Sequence, residues 1–475
     1  MFESAGLSDL IEVMGEAARA ESAAVARRLA AVGELYARRS VEWAERELWC
    51  ADPFDAVAAE VSAAQNISRG RAGTQIRYGR ELRERLPLVA AVFAAGGIDF
   101  RMVATIIART SNVTSEAIGA VDAALAREAP RWMKLSVPKL SDRVDWWIAK
   151  FDADGVRVAA DVDRGRFVEV GPTVPGMGGI WANIHAVDAA AFDQRLDALA
   201  ATVCAEDPRT VAQRRADAVG ALAAGAQKLM CRCGTGHCPA IAAPAPSAVV
   251  VHVLAEQATV DGTSDTPGFL PKFGVQPAES VRALVAAARI RPLIVPSDDA
   301  QGGYRPSAAL AGFIGWRDLT CRWPGCDAPA VRCDIDHTVP FPGGATHPSN
   351  LKAYCRKHHL VKTFYAGRGG WADRQSPDGT VTFTSPTGHV YTTTPGGALL
   401  FPALGAPTGP LPPERADAPR FGRGLAMPTR RQTREQDRQT RIRQERRQRA
   451  ILNTENQRQR LAWLTTTHGD DPPPF

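Results

Sequence analysis

No stretch of the 475-residue sequence approaches the roughly 18–20 consecutive apolar residues of a membrane-spanning helix, so no span is predicted. The start, Met1-Phe2-Glu3-Ser4, has neither the basic n-region nor the apolar h-region of a secretion signal, which predicts a cytoplasmic protein. No internal repeat is visible, which argues against a solenoid. Glycine (41) and proline (34) are too few for a chain disordered throughout. A hydrophobic content of 45% is enough for two or three domains of about 100–200 residues each. The nine cysteines are an odd number and cannot all pair as disulfides. Seven fall in two clusters with metal-like spacing or lie between such ligands. Without an export signal, this favours thiolate ligands in a reducing compartment.

The net charge of +6 is unevenly spread. Thirteen arginines and four carboxylates lie between Arg420 and Arg460, a net of +9; with Asp470 and Asp471 beyond them, residues 1–419 are left near −1. Basicity is therefore a property of the tail, which reads as an electrostatic tether to nucleic acid. The plainer alternative is a solvated helix with no specific partner.

Residues 6–150 show helical periodicity, in Leu7–Tyr36, Phe54–Ser68, Arg69–Leu86, Pro87–Ala95 and Phe100–Thr110, with breaks at Pro87 and Gly96-Gly97. The pair around Asn66 has the outline of a helix-turn-helix, but its turn lacks glycine, and packing within a helical bundle is the preferred reading. Alternating apolar residues between Phe151 and Ile184 predict a small β element, followed by helices over 187–204 and 211–230 and a buried strand at Ala248–Leu254. Thr394–Pro428 carries eight prolines and reads as a linker; Thr429–Leu464 has few apolar residues and predicts a mostly solvated helix. The expected organisation is a helical domain over 1–299, a motif-bearing module over 300–394, a linker over 395–428 and a basic tail over 429–475, an α+β chain.

Chemistry concentrates between Cys321 and Lys362, where soft metal ligands interleave with hard polar groups. Cys321 and Cys326 flank a turn with Pro324 and Gly325, and Cys355 lies just before His358 and His359. Two such half-sites predict a tetrahedral structural zinc. Their separation leaves room for something built between them, and that segment holds Asp336, His337 and Asn350. Hydrolysis of a phosphodiester needs an activated water and neutralised charge. His337 suits the general base, Asp336 a hard divalent cation, Asn350 a loop or histidine restraint, and His359 a second cation ligand. Adjacent helical residues diverge by about 100°, so His358 and His359 serve different sites, but spacing alone does not say which serves which.

The order Asp-His, Asn, Cys-x-x-His-His-x-x-Lys resembles the HNH (His-Asn-His) endonucleases, whose shared element is a two-stranded ribbon plus a helix around one catalytic metal. The resemblance implies His337 as general base, Asn350 as the central Asn, and His359 with Asp336 as ligands of a catalytic Mg²⁺, Mn²⁺ or other divalent cation. It assigns His358 to the structural zinc with Cys321, Cys326 and Cys355. Many relatives carry cysteine where His358 stands, a change that preserves zinc binding. Arg317-Asp318, Trp-Pro-Gly-Cys (323–326), Cys-Asp-Ile-Asp-His (333–337) and Arg214-Arg215-Ala216-Asp217-Ala218 further resemble the actinobacterial 13E12-repeat proteins, in which a long helical domain of unknown function precedes an HNH module.

Outside this segment, Cys231, Cys233, His237 and Cys238 form a candidate second zinc set; free thiols in a turn are the alternative. Cys50 and Cys204 read as helix packing, and Cys333 as a small buried residue. Lys352, Arg356, Lys357, Lys362 and Arg368 make the helix region basic and are candidate phosphate contacts. The leading expectation is a metal-dependent endonuclease acting on DNA; the chemistry admits RNA too, since one-metal hydrolysis needs no 2′-hydroxyl. The alternative is a zinc-stabilised DNA-binding protein without turnover, from a mobile or repeat element. The helical domain is a candidate protein-interaction module.

Overall fold

The structure, a computed structural model, describes residues 6–158, 165–236, 238, 252–285, 288–296, 299–367, 369–411 and 426–468. His237, Arg368 and the Ala248–Val251 part of the expected strand lie outside the described residues. The chain is α+β, 53% helical, with small sheets. Among the described residues, no helix is long and apolar enough to cross a membrane.

The chain opens with helices α1 (Leu7–Glu42), α2 (Pro53–Gln65), α3 (Arg69–Glu84), α4 (Pro87–Ala94), α5 (Phe100–Thr110), α6 (Ile118–Glu128) and α7 (Val137–Phe151). Local chemistry sets their starts. The Asp52 carboxylate accepts from the Asp55 N–H with Pro53 in the first turn, and Ser68 and Asp99 cap α3 and α5 in the same way. Asn66 supplies the left-handed residue (φ 49°) between α2 and α3 that a glycine would otherwise provide. α1 and α3 cross backbone to backbone: a Cβ on Gly33 would lie 2.7 Å from the Gly79 carbonyl. α2 is buried along nearly its whole length, so the pair flanking Asn66 packs as a bundle element.

Next come a hairpin of β1 (Phe167–Pro172) and β2 (Gly178–Asn183), helices α8 (Ala186–Ala200), α9 (Val211–Ala223) and α10 (Gln257–Val260), a hairpin of β3 (Gly268–Leu270) and β4 (Gly274–Gln276), and α11 (Ala278–Val285). The motif-bearing part contains α12 (Ala308–Asp318), the antiparallel ribbon β5 (Cys333–His337) and β6 (Leu351–Cys355), α13 (Arg356–Phe364), a three-stranded sheet of β7 (Ala372–Gln375), β8 (Val381–Thr384) and β9 (Val390–Thr393), and α14 (Gly396–Leu400). A single helix, α15 (Arg434–His468), ends the described chain.

The compact units do not follow the expected boundaries at 299 and 394. One comprises residues 1–159 with 293–475, the other residues 160–292. The reason is a shared core in the first unit. Val57, Ala58 and Val61 of α2 are buried in one cluster with Trp323, Tyr354, Val361 and Phe383 of the motif-bearing part. The ring of Tyr365 lies edge-on to Trp43 with centroids 4.9 Å apart, and its hydroxyl donates to the Ala51 carbonyl at 3.1 Å.

Two further expectations change. The start of the expected linker packs: α14 follows directly on β9, and Phe401 and Leu404 are buried. The basic tail does not hang free. Arg434 pairs with Asp52 and Asp55, Arg438 with Glu81, and Arg446 with Asp152, while Glu445 takes Arg157 at 2.6 Å. These carboxylates are hidden in a sequence average near zero, but the fold lines them up beneath α15. Arg431, Arg441, Arg443, Arg447, Arg458 and Arg460 stay exposed.

Candidate metal centres

The first centre grows from a knuckle. Cys321 and Cys326 are joined by a turn in which Gly325 has φ +78°, and a Cβ there would meet the Ile67 carbonyl at 2.6 Å. Only glycine satisfies both demands. Cys355 ends β6 and His358 lies in the first turn of α13, so strand and helix deliver two more ligands. The ligand atoms of Cys321, Cys326, Cys355 and His358 all lie within 4.8 Å of one another. His358 Nδ1 is 3.5 Å from Cys321 Sγ and 3.4 Å from Cys355 Sγ. A zinc tetrahedron with bonds of about 2.0–2.3 Å has edges of about 3.5–3.8 Å. The Cys355 N–H donates to Cys321 Sγ at 3.3 Å, a contact that favours the thiolate, and Trp323 stacks on His358 at 4.9 Å. This cluster could hold a zinc ion. Cys333 is half-buried rather than buried and is not one of the four ligands, although its thiol lies within reach of Cys321; its Sγ is directed at the Pro329 carbonyl at 3.4 Å.

The second constellation sits on the β5–β6–α13 unit. Asp336 is opposite Lys352 in the ribbon, so both side chains share one face. Asp336 Oδ1 lies 3.4 Å from His359 Nε2, and its Oδ2 contacts Lys362 Nζ at 2.7 Å and Lys352 Nζ at 3.1 Å. Burial pushes the Asp336 carboxyl up, but Lys352, Lys362 and His359 outweigh it and hold the group below the usual carboxylate value. His359 turns its other nitrogen, Nδ1, to Asp334 Oδ2 at 2.8 Å. Thus the adjacent histidines point to different places, His358 to the cysteines and His359 to the two aspartates.

His337 is buried, with Tyr304 stacked on it at 5.3 Å. Its Nε2 lies 2.9 Å from Thr346 Oγ1, and that hydroxyl donates its proton to the Gly303 carbonyl at 2.6 Å. Thr346 can therefore only accept from the ring, which places the imidazole proton on Nε2 and a lone pair on Nδ1. Burial lowers the His337 pKa to about 4, against the pull of Asp336. Asn350 is fully buried, and its side-chain hydrogen bonds go to the loop backbone. Its carbonyl accepts from the Val339 N–H at 2.8 Å, and its amide donates to the Val339 and Ala345 carbonyls at 2.9 Å. It clamps the loop after His337, so of the two roles expected for it, loop restraint is the one this geometry supports.

Three of the four described phosphate-contact candidates point inward. Lys352 is fully buried between Asp336 and Asp373, Lys362 is bonded to Asp336, and Lys357 pairs with Asp55 at 2.7 Å. Arg356 remains largely exposed beside Asp334. A buried carboxylate attracts the nearest ammonium, and charge counting along a sequence does not see that. Two groups that entered the sequence analysis only through the family resemblance have positioning roles. Asp334 lies two residues before Asp336, on the same face of an extended strand, and that spacing was the available signal. Arg317 and Asp318 form a buried pair at 2.8 Å that ties α12 to β6: Arg317 donates to the Pro348 and Leu351 carbonyls, and Asp318 accepts from the Ala353 N–H.

In the second cysteine cluster, Cys204 stands with Cys231, Cys233 and Cys238, all four sulfurs within 4.8 Å of one another. Cys204 is therefore not a helix-packing residue. The sequence reading missed it because it lies 27 residues before Cys231, outside the local cluster.

Residues 16–318 match the family described as a domain of unknown function, DUF222. The chain belongs to the DUF222 family. It is 42% identical over 468 residues to the uncharacterised protein Rv3776 of Mycobacterium tuberculosis, covering 92% of this chain and 89% of that protein. It is likewise 42% identical to the uncharacterised protein Rv2100 of the same organism, covering 92% and 87%. A shorter M. tuberculosis relative, an uncharacterised protein in the est 3′ region, is 39% identical over 64% of this chain and 95% of its own length. No solved structure matches. DUF222 membership is consistent with the resemblance to 13E12-repeat proteins. The family match ends at residue 318, so the Cys321/Cys326/Cys355/His358 cluster lies beyond the matched segment, whereas the Cys204/Cys231/Cys233/Cys238 cluster lies within it.

Proposed function

We propose that this DUF222 protein is a metal-dependent endonuclease of the HNH type, hydrolysing phosphodiester bonds of DNA. The observation that carries the reading is the split of the adjacent histidines: His359 Nε2 and Asp336 Oδ1 meet at 3.4 Å beside His337, while His358 faces three cysteines. An imidazole nitrogen and a carboxylate oxygen suit Mg²⁺, Mn²⁺ or a similar divalent ion, and the Asp334 contact fixes the His359 tautomer as carboxylates commonly do for metal-bound histidines. Asp336 and His359 would hold that ion, which would neutralise charge at the scissile phosphate and the leaving oxygen. His337 takes the proton of the attacking water at Nδ1 while Thr346 holds its Nε2–H. Asn350 keeps the loop carrying these groups closed. The exposed arginines of α15 face solvent as a track for the phosphate backbone.

The test is supercoiled-plasmid cleavage with Mg²⁺ or Mn²⁺. His337→Ala should lower the rate about 10²–10⁴-fold and leave bound zinc unchanged; equal rates for variant and wild type refute the reading. Asp334→Ala should weaken Mn²⁺ binding about 10–100-fold, measured by calorimetry, because His359 loses its orienting partner. One observation favours a second reading, zinc-stabilised DNA binding without turnover: Lys352 and Lys362 already compensate the charge of Asp336. That reading predicts salt-sensitive DNA binding and no cleavage with any metal.

A further inference from the structure

The structure assigns a second structural zinc site, with Cys204, Cys231, Cys233 and Cys238 as its four ligands, that locks the hairpin of α8 and α9. The site stands apart from the nuclease reading and lies wholly within the unit formed by residues 160–292.

The sequence brings the ligands together in two steps. Cys233, Gly234, Thr235, Gly236 and Cys238 form a tight loop: Gly234 takes φ +75° and the Cys238 N–H donates to the Thr235 carbonyl at 3.1 Å, so both sulfurs turn to one side. The far ligand, Cys204, arrives through the α8–α9 hairpin. Three contacts lace the segment after α8 to the segment after α9. The Leu229 N–H donates to Thr202 Oγ1 at 2.8 Å, Arg209 donates to the Met230 carbonyl at 2.7 Å, and the Arg232 N–H donates to Asp207 at 2.8 Å. These bonds carry Cys204 Sγ to 3.5 Å from Cys231 Sγ.

That separation discriminates between chemistries. A disulfide requires about 2.05 Å between sulfurs. Sulfurs bound to one zinc at about 2.3 Å stand about 3.8 Å apart, close to the observed spacing. Four thiolates also leave no open coordination position, so the site is structural and not catalytic. The unit needs such a staple. Among the described residues, the buried cluster between α8 and α9 contains Leu196, Leu199 and Ala218, with Val219 and Leu222 beside it. A core that small does not by itself hold a hairpin against chain entropy.

Zinc content of the full-length chain, purified with reductant, tests the assignment. Two zinc ions per chain are expected. Cys204→Ser should lower this to one and speed amide exchange over residues 202–236 without changing exchange in α12 and α13. Cys204→His should restore the second ion, since imidazole replaces thiolate at zinc but forms no disulfide. His237→Ala should retain both. One zinc in the wild type, two in Cys204→Ser, loss of zinc in His237→Ala, or a Cys204–Cys231 disulfide in the freshly isolated chain would each overturn the assignment.

Discussion

Cys355→Ser is expected to empty the Cys321/Cys326/Cys355/His358 cluster and to unfold much of the first unit with it. Apparent zinc-binding energies in finger peptides are about 10–16 kcal/mol at neutral pH, whereas whole domains are stable by about 5–15 kcal/mol. A fold built around such an ion has no reserve once it is gone. The damage spreads, because Trp323, which stacks on His358, shares one buried cluster with Val57, Ala58 and Val61 of α2. Zinc should fall by one ion per chain, and amide protection should drop in β5, β6 and α13 and also in α2. Protection lost only in β5, β6 and α13, with α1–α3 unchanged, would show that the cores are separable and that the shared-core account is wrong.

Asp55→Ala is expected to give the next largest effect, a loss of about 3–5 kcal/mol. Asp55 is 1% exposed and receives three cations, one from the next helix and two from distant segments: Arg69 at 3.2 Å, Lys357 at 2.7 Å and Arg434 at 2.8 Å. It thus joins α3, α13 and α15 at one point. Removing it strands cations that are partly buried, which costs more than an exposed pair ever contributes. Glu84→Ala is the control. Its pair with Arg80 is half-exposed, and its loss should cost under about 1 kcal/mol. Urea unfolding measures both, and Asp55→Ala should also make α15 cleavable at its arginines. A midpoint unchanged from wild type would contradict the role given to Asp55.

Much of this architecture is legible in the sequence where local rules operate. The breaks read at Pro87 and Gly96-Gly97 fall at helix ends, and the caps at Asp52, Ser68 and Asp99 obey the same local rules. The residue types between Cys321 and His359 show soft and hard donors interleaved, because zinc and hard cations prefer different ligands, but the division between His358 and His359 rests on the HNH resemblance and not on spacing. What stayed hidden is long-range. Cys204 could be recognised as a partner of Cys231 only once α8 and α9 were folded into a hairpin. Lys352, Lys357 and Lys362 looked like phosphate ligands because a sequence shows their charge but not the buried carboxylates beside them. The same blindness hid the docking of α15, whose partners Asp52, Glu81 and Asp152 are scattered over a hundred residues.

The proposed division of labour gives His358 and His359 to two different centres. Its most direct test compares His358→Ala with His359→Ala in the same preparation, with zinc content and Mn²⁺-supported plasmid cleavage read on each. His358→Ala should lose a zinc ion, whereas His359→Ala should keep the full complement, remain folded and lose cleavage. Loss of zinc from His359→Ala with zinc retained in His358→Ala would contradict it.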